Sequence, residues 1–179
     1  MKILYHHRTR SKDGQYVHII EMISALRDLG HEVVVVAPVA MERAEFGANT
    51  GALAVLARLV PRFAYEAMEL AYSVIVHPRL RRAVRIHRPD CLYERYNLFL
   101  PAGVWLKRPV GLPMLLEVNA PVYAERARCG GFALERLARF SQHYVWQGAD
   151  FAFPSPRCLR TSFGRRACRA SGSPLFPTE

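Results

Sequence analysis

Polar residues that could bind a ligand end two apolar runs of this sequence. Glu94 and Arg95 lie in YERY, and Glu117 and Asn119 lie in EVNAP, just before Pro121 ends the second run. A carboxylate inside an apolar run is either buried with a partner or directed into a crevice, because an unpaired charge is costly to bury. All four residues are therefore candidates for a binding site, although Glu94 and Arg95 also fit a solvated ion pair at a strand end.

A third candidate region is the loop that follows the first apolar run. The loop spans residues 6–15 and ends in Asp13, Gly14 and Gln15, directly before a helical pattern. The free N–H groups and the dipole at a helix N-terminus attract anions such as phosphate, and a glycine there lets the backbone approach the anion closely. The alternative is an ordinary turn. The seven histidines are scattered, and their spacing supports no Ser-His-Asp arrangement.

Strands and helices alternate in the pattern that must position these residues. The apolar runs that predict strands are Lys2–His6, Glu32–Pro38, Cys91–Tyr93, Met114–Val118 and Phe151–Phe153. The second run is an unbroken series of β-branched residues, which is typical of a parallel strand covered on both faces. We therefore expect an α/β fold with a doubly wound, Rossmann-like parallel sheet, in which ligands bind beyond the carboxyl ends of the strands.

Helical periodicity fills the segments between these strands. The first helix should bury Tyr16, Ile19, Ile23 and Leu26 and end at Gly30, a natural C-cap. The stretch from Gly51 to His87 predicts helix broken at Pro61 and Pro78, and a further helix is expected between the third and fourth strands. Residues 131–150 predict one last helix, whose apolar stripe would consist of Phe132, Leu134, Leu137, Phe140 and Tyr144.

Charge and cysteine content narrow the cellular setting. The 179 residues suit one domain, and the net charge of +10 favours phosphate groups or an anionic membrane surface without selecting either. The arginine-rich segment 64–88 fits peripheral contact with a membrane, but it fits equally a helix that packs on the sheet with its arginines in water. The four cysteines show no disulfide or metal-ligand spacing, so we expect a cytoplasmic protein, located either free or at the inner face of the membrane.

The order of these segments resembles a known family. MKILYHHRTRSKDGQYVHIIEMISALRDLGHEVVVVAP, then PDCLYERYNLF, then LPMLLEVNAP is similar to the N-terminal domain of family 4 glycosyltransferases. The resemblance covers residues 1–153 and implies one half of the GT-B architecture, in which two Rossmann-like domains face each other across a cleft. It implies that this half holds a small-molecule or glycolipid acceptor. The C-terminal half would hold a nucleotide sugar as co-substrate, and transfer would retain the anomeric configuration without a metal or other cofactor.

Two departures from the family pattern bear on the site. Many relatives have Gly-Gly in the first loop, where this chain has Gly14 alone, and many have a histidine near the place that Asn119 takes here.

Two other classes of function are less well supported. A nucleotide-dependent oxidoreductase would be expected to show G-x-G-x-x-G after the first strand. A nucleic-acid-binding module should interleave aromatic and basic residues, so we expect no nucleic acid partner.

The last residues break the pattern. PSPRCLRTSFGRRACRASGSPLFPTE has no apolar period, and its composition is typical of a disordered segment. Restoring one base near codon 154 permits the text VTEVLADILRPAGVPRERITVIPNG, a helix, a turn and a strand that end as the family resemblance implies. We therefore expect a domain over residues 1–153 and an irregular tail over 154–179 produced by a single-base deletion, so that the chain stops before the donor-binding domain.

Overall fold

A computed structural model describes residues 1–9, 14–38 and 60–154. The described residues form strands β1 (Lys2–His6), β2 (Glu32–Val36), β3 (Cys91–Arg95), β4 (Met114–Val118) and β5 (Phe151–Pro154). The helices are α1 (Gly14–Asp28), α2 (Arg62–His87), α3 (Ala102–Val110), α4 (Val122–Arg128) and α5 (Glu135–Gly148). Residues 155–179 lie outside the described ranges, so the expectations about the tail stay predictions.

The strands form one parallel sheet in the order β2-β1-β3-β4-β5. After β1 the chain moves to one side through α1, and after β2 it returns across β1 to build the other side. The strand order therefore reverses between β1 and β3, which is the position where doubly wound sheets bind ligands. The predicted Rossmann-like parallel sheet is confirmed.

The two faces of the sheet carry cores of different size. On one face α1 packs Ile19 and Ile23 against Tyr5 and Val33. The opposite face holds the larger core, built from strand residues such as Leu4, Leu92 and Leu116 together with α2, α3 and α5. Because successive strand residues point to opposite faces, neighbouring polar residues at a strand end are sent to different faces as well.

Helix α2 runs through Pro78 without a break, which corrects the predicted interruption there. A proline inside a helix removes the hydrogen bond to the carbonyl four residues earlier. Here that carbonyl belongs to Val74, which lies on the exposed side of the helix where water can bind it. The helix ends at Arg88, which takes a left-handed conformation with φ of 47°.

The predicted last helix over residues 131–150 forms as α5, whereas the short helix α4 before it was not predicted. The stripe predicted for the last helix is wrong in part. Phe140 is 63% exposed, whereas Ala138, Ser141 and Val145 face the core. Small residues suit this interface because the helix lies close to α3. A Cβ added at Gly148 would stand 2.6 Å from either methyl carbon of Val104.

The first helix and its cap agree with the periodicity. Ile19 and Ile23 are buried, Tyr16 and Leu26 are partly buried, and Gly30 follows the helix with φ of 82°. Among the described residues, no helix combines the length and hydropathy needed to cross a membrane.

Candidate functional site

The carboxyl ends of β1 and β3 bring together a buried histidine and a buried carboxylate. The strand register places His6 beside Glu94, and Nδ1 of His6 lies 2.8 Å from Oε2 of Glu94. Both side chains are fully buried. A Cβ added at Gly103, in the first turn of α3, would lie 2.2 Å from Oε2 of Glu94, so only glycine leaves room for this carboxylate. The dipole of α3 favours a negative charge at that position.

The second nitrogen and the second oxygen of this pair have no partner among the described residues. Nε2 of His6 and Oε1 of Glu94 are buried without a hydrogen bond to any described residue. A buried polar atom left unpaired costs about 1–3 kcal/mol. Folded proteins satisfy such atoms with ordered water or with a ligand, so this pair marks a place where one of these fits. Nδ1 of His7 is also buried without a hydrogen bond in the described part of the chain, but its ring lies beside Tyr5 on the other face of the sheet.

His7 is kept neutral by its surroundings. The residue is 2% exposed. Burial, followed by the nearby charges of His6 and Arg95, lowers the pKa of His7 from 6.5 to about 4. A neutral imidazole can both accept and donate a hydrogen bond, so His7 offers a ligand both functions at neutral pH.

Glu117 organises a second polar cluster on the opposite face of the sheet. Its Oε1 accepts a hydrogen bond from Nη1 of Arg95 at 3.2 Å and another from Nδ2 of Asn119 at 2.5 Å. The same Nη1 lies 3.1 Å from Nδ1 of His18 on α1, and since a guanidinium only donates, His18 accepts there. The cluster therefore links the ends of β3 and β4 to the first helix.

Two tyrosines form the floor of this cluster. The rings of Tyr5 and Tyr93 stack with centroids 5.1 Å apart, and the Tyr5 hydroxyl donates to Oε2 of Glu117 at 3.4 Å. Burial first, and then the charge of Glu117, raise the pKa of both phenols well above the ordinary value. The tyrosines therefore stay protonated, and Tyr5 supplies Glu117 with a neutral donor beside the charged one from Arg95.

A cavity opens beside the switch point, between the end of β1 and α2. Its volume is about 200 Å³, and it is lined by Arg8, Tyr65, Met68, Glu69, Tyr72 and Asn97. A second cavity of about 380 Å³ shares Tyr65 and continues toward α4 and the glycines at 130 and 131. Tyr65 lines both cavities, so they lie next to each other along the inner side of α2, and we call the two together the groove. Aromatic and charged groups form its walls.

Ion pairs fix the walls of this groove. Oε1 of Glu69 accepts from Arg8 at 2.7 Å, and Oε2 accepts from Arg126 at 2.6 Å. One turn earlier, Glu66 is 1% exposed and accepts from the backbone N–H groups of Ala133 and Leu134 at 3.1 and 2.7 Å. The two carboxylates of α2 thus hold the loop after β1, helix α4 and the start of α5 in one arrangement.

The structure places the residues predicted from sequence in different surroundings. Asp13 lies outside the described residues, and Gly14 and Gln15 open α1 on its exposed side, one turn before His18. Glu94 and Arg95 are not a solvated pair, because they are 0% and 6% exposed and point to opposite faces. Arg95 instead joins Glu117 and Asn119 in one cluster.

The candidate loop over residues 6–15 contains His6, His7 and Arg8, although only Asp13, Gly14 and Gln15 were singled out in it. Other residues of the site were missed by reading the sequence; they are His18, Tyr65, Glu66, Glu69, Gly103 and Arg126. Apart from Gly103, the others depend on contacts between residues at least 57 positions apart, such as Arg126 with Glu69 and Arg8 with Glu69, and local pattern does not reveal these.

Comparison with protein-family models shows which family the chain belongs to. Residues 13–172 match the model of the glycosyl transferase 4-like domain. The chain belongs to this family. As a glycosyl transferase 4-like domain, it has its polar clusters at the sheet edge where doubly wound folds bind ligands. A search of curated protein sequences found no match.

Solved structures resemble this domain in fold. A proposed UDP-N-acetylglucosamine 2-epimerase from Listeria monocytogenes has a TM-score of 0.56 and 12% identity, and the match covers 89% of this chain and 40% of that protein. The spinosyn rhamnosyltransferase SpnG, complexed with spinosyn aglycone, has a TM-score of 0.50 and 19% identity, with 80% of this chain and 41% of that protein covered. The chain thus spans about two fifths of the length of either protein.

Proposed function

We propose that this domain is the acceptor-side half of a retaining glycosyltransferase. The complete enzyme would move a sugar from a nucleotide sugar to a hydroxyl group of a small-molecule or glycolipid acceptor, without a metal and without a nucleic acid partner. Membership of the glycosyl transferase 4-like family supports the transferase class. The observation that carries the proposal is the position of both polar clusters and the groove at the point where the strand order reverses.

The first loop and α1 suit the anionic part of the donor. Helix α1 follows β1, so its N-terminus lies at the carboxyl edge of the sheet, where its dipole favours an anion, and Gly14 has no side chain there to keep an anion away. In glycosyl transfer the sugar develops oxocarbenium character while the diphosphate departs with negative charge. Fixed dipoles aimed at that charge lower the barrier because they need no reorganisation during the reaction.

The groove suits the acceptor. Tyr65 and Tyr72 offer aromatic surface, while Arg8 and Asn97 offer donors. Sugars and other polyhydroxyl compounds present apolar faces and hydroxyl edges, and a pocket with a few fixed polar groups among aromatic ones binds both. The ion pairs of Glu69 keep Arg8 in place before the acceptor arrives, so binding energy is not used to order it.

The domain alone should not transfer sugar under this proposal. Catalysis needs binding energy from both reactants and dipoles on both sides of the departing diphosphate. With only one wall of the cleft present, the diphosphate stays solvated, and water weakens each electrostatic contact that the first loop offers.

The proposal is tested by measuring nucleoside diphosphate release from a panel of nucleotide sugars in the presence of candidate acceptors. The 179-residue chain is compared with a protein made after restoring one base near codon 154. We expect release and a retained anomeric configuration by proton NMR from the restored protein, and background release from the 179-residue chain. Inactivity of the restored protein toward every nucleotide sugar would overturn the transferase, and equal turnover by both proteins would overturn the division of roles.

A further inference from the structure

Large apolar side chains lie exposed along the outer side of α2. Val74, Ile75 and Ile86 are 63%, 67% and 59% exposed. Their spacing places them on the side of the helix opposite the buried Ser73, Val76 and Leu80. We call the residues Val74, Ile75, Arg81, Arg82, Arg85 and Ile86 the outer face of α2. An apolar surface on one helix side needs a reason, because isolated exposed residues are common but aligned ones are not.

The same side of the helix carries positive charge and no negative charge. Arg81, Arg82 and Arg85 are exposed in the C-terminal half of α2, and Arg88 follows directly after it. In the described part of the chain, no ion pair joins these four arginines to a carboxylate. Within the described ranges, no carboxylate therefore neutralises their charge.

The acidic residues of α2 are turned inward. Its two glutamates, Glu66 and Glu69, have side chains 1% and 11% exposed and are paired with Arg126 and Arg8. Acidic groups on the outer face would repel an anionic partner, but both glutamates of α2 lie on the groove side of the helix. The result is a helix about 39 Å long, at about 1.5 Å per residue, whose outer face is purely apolar and cationic.

We propose that the outer face of α2 docks on a bilayer that contains anionic phospholipid. The apolar side chains enter the boundary between headgroups and acyl chains, and the arginines stay at the level of the lipid phosphates. A nucleic acid fits less well, since its interfaces are dominated by charge and give Val74 and Ile75 nothing apolar to contact. This proposal goes beyond the transferase and does not depend on it.

Co-sedimentation of the 179-residue chain with vesicles tests the docking. Vesicles of phosphatidylglycerol and phosphatidylcholine in equal parts are compared with vesicles of phosphatidylcholine alone, at low salt and at high salt. We expect binding to the anionic vesicles that weakens as salt rises, because salt screens the attraction between arginines and phosphates. Absence of binding to the anionic vesicles, or equal binding to both kinds, would overturn the proposal.

Matched variants locate the surface. Arg82→Gln with Arg85→Gln should reduce the affinity for anionic vesicles by about tenfold or more, since each basic residue near the surface contributes independently. Arg128→Gln with Arg136→Gln removes the same charge from exposed positions on α4 and α5, and should change the affinity by less than about twofold. Equal losses in the two pairs would show attraction by net charge alone and would contradict docking through α2.

A third variant separates apolar contact from charge. Val74→Ser with Ile75→Ser leaves every arginine in place and alters exposed positions, so the chain keeps its fold, which circular dichroism verifies. We expect the affinity for anionic vesicles to fall by about fivefold or more, with binding that no longer survives moderate salt. Unchanged affinity would show that the apolar half of the outer face has no part in docking.

Discussion

At the residue scale, the contact between Gly103 and Glu94 makes the sharpest prediction. In most helices Gly→Ala is stabilising, by about 1 kcal/mol. Here the added carbon would lie 2.2 Å from Oε2 of a carboxylate that is fully buried and bonded to His6, so relief of the clash requires the carboxylate to move away from His6. We expect Gly103→Ala to lower the free energy of unfolding by about 1–3 kcal/mol, measured by urea denaturation.

A double-mutant cycle provides the control for this prediction. Glu94→Ala removes the carboxylate and opens the space that the new methyl group needs. In the Glu94→Ala background, Gly103→Ala should leave the free energy of unfolding unchanged or raise it. The coupling energy between the two positions would then be about 1–3 kcal/mol. Additive effects would mean that the two residues do not contact each other in solution.

The second prediction at this scale concerns pH. The pKa of His7 falls from 6.5 in the unfolded chain to about 4 in the fold. Between these values the unfolded chain binds a proton that the folded chain does not. The stability that neutral His7 contributes is therefore complete above pH 6.5 and is lost as the pH falls to 4. At about 1.4 kcal/mol per pKa unit, the loss amounts to about 3 kcal/mol.

Urea unfolding of the wild type and of His7→Gln measures this term. The glutamine does not titrate, so the difference in unfolding free energy between the two proteins should shift by about 3 kcal/mol between pH 7 and pH 4. All other titrating groups are shared and cancel in the difference. Parallel pH profiles for the two proteins would show that His7 titrates normally in the fold.

Sequence reasoning at this scale found residues but not their partners. Glu117 was predicted to be either paired inside the fold or aimed at a crevice, and the structure shows it paired with Arg95 and Asn119. The pairing of His6 with Glu94 joins residues 88 positions apart. That contact exists because β3 pairs with β1. The composition of the two strands does not predict which strands are neighbours in the sheet.

At the element scale, Pro78 inside α2 is predicted to cost stability. A proline in a helix interior is about 3 kcal/mol less favourable than alanine. Proline also lowers the conformational entropy of the unfolded chain, which stabilises the fold by about 1 kcal/mol. Pro78 is exposed, so alanine fits there without touching a neighbour. We expect Pro78→Ala to raise the free energy of unfolding by about 2 kcal/mol in urea denaturation.

Pro61 supplies the comparison for that variant. It precedes the first turn of α2 with φ of –54°, a position where the missing N–H group costs nothing. Pro61→Ala should therefore leave stability unchanged or lower it slightly. A loss of stability in Pro78→Ala would contradict the expected cost of a proline inside α2.

The elements themselves were largely predictable, and the exceptions have physical causes. The β-branched run of β2 and the apolar stripe of α1 are strong signals, and both elements form. The prediction that β2 is covered on both faces is wrong, because β2 is an edge strand and Val35 is 40% exposed. Helix α4 was missed because its seven residues bury none of their side chains fully and so show no stripe. Phe140 was assigned to the core because of its apolarity, but it lies on the side of α5 opposite the buried Ala138, Ser141 and Val145.

At the scale of the whole molecule, the prediction concerns the gene. Restoring one base near codon 154 should open a frame that continues into IPNG-like text and then about 200 residues with a second α/β pattern, a typical domain size. The family match runs to residue 172, past the boundary at 153 that the sequence pattern predicts. Sequencing the DNA through codon 154 and beyond decides between the two boundaries, and a downstream frame without such text would exclude the deletion.

Glu69 connects helix α2 to two other parts of the groove lining. Each of its two oxygens is occupied by a different guanidinium, that of Arg8 after β1 and that of Arg126 on α4. A shift of helix α2 along its axis would therefore break both bonds, so the position of α2 is coupled to the lining of the groove. Binding at two coupled sites is reciprocal. If a docked bilayer changes the affinity of the groove for a ligand, that ligand changes the affinity for the bilayer by the same factor.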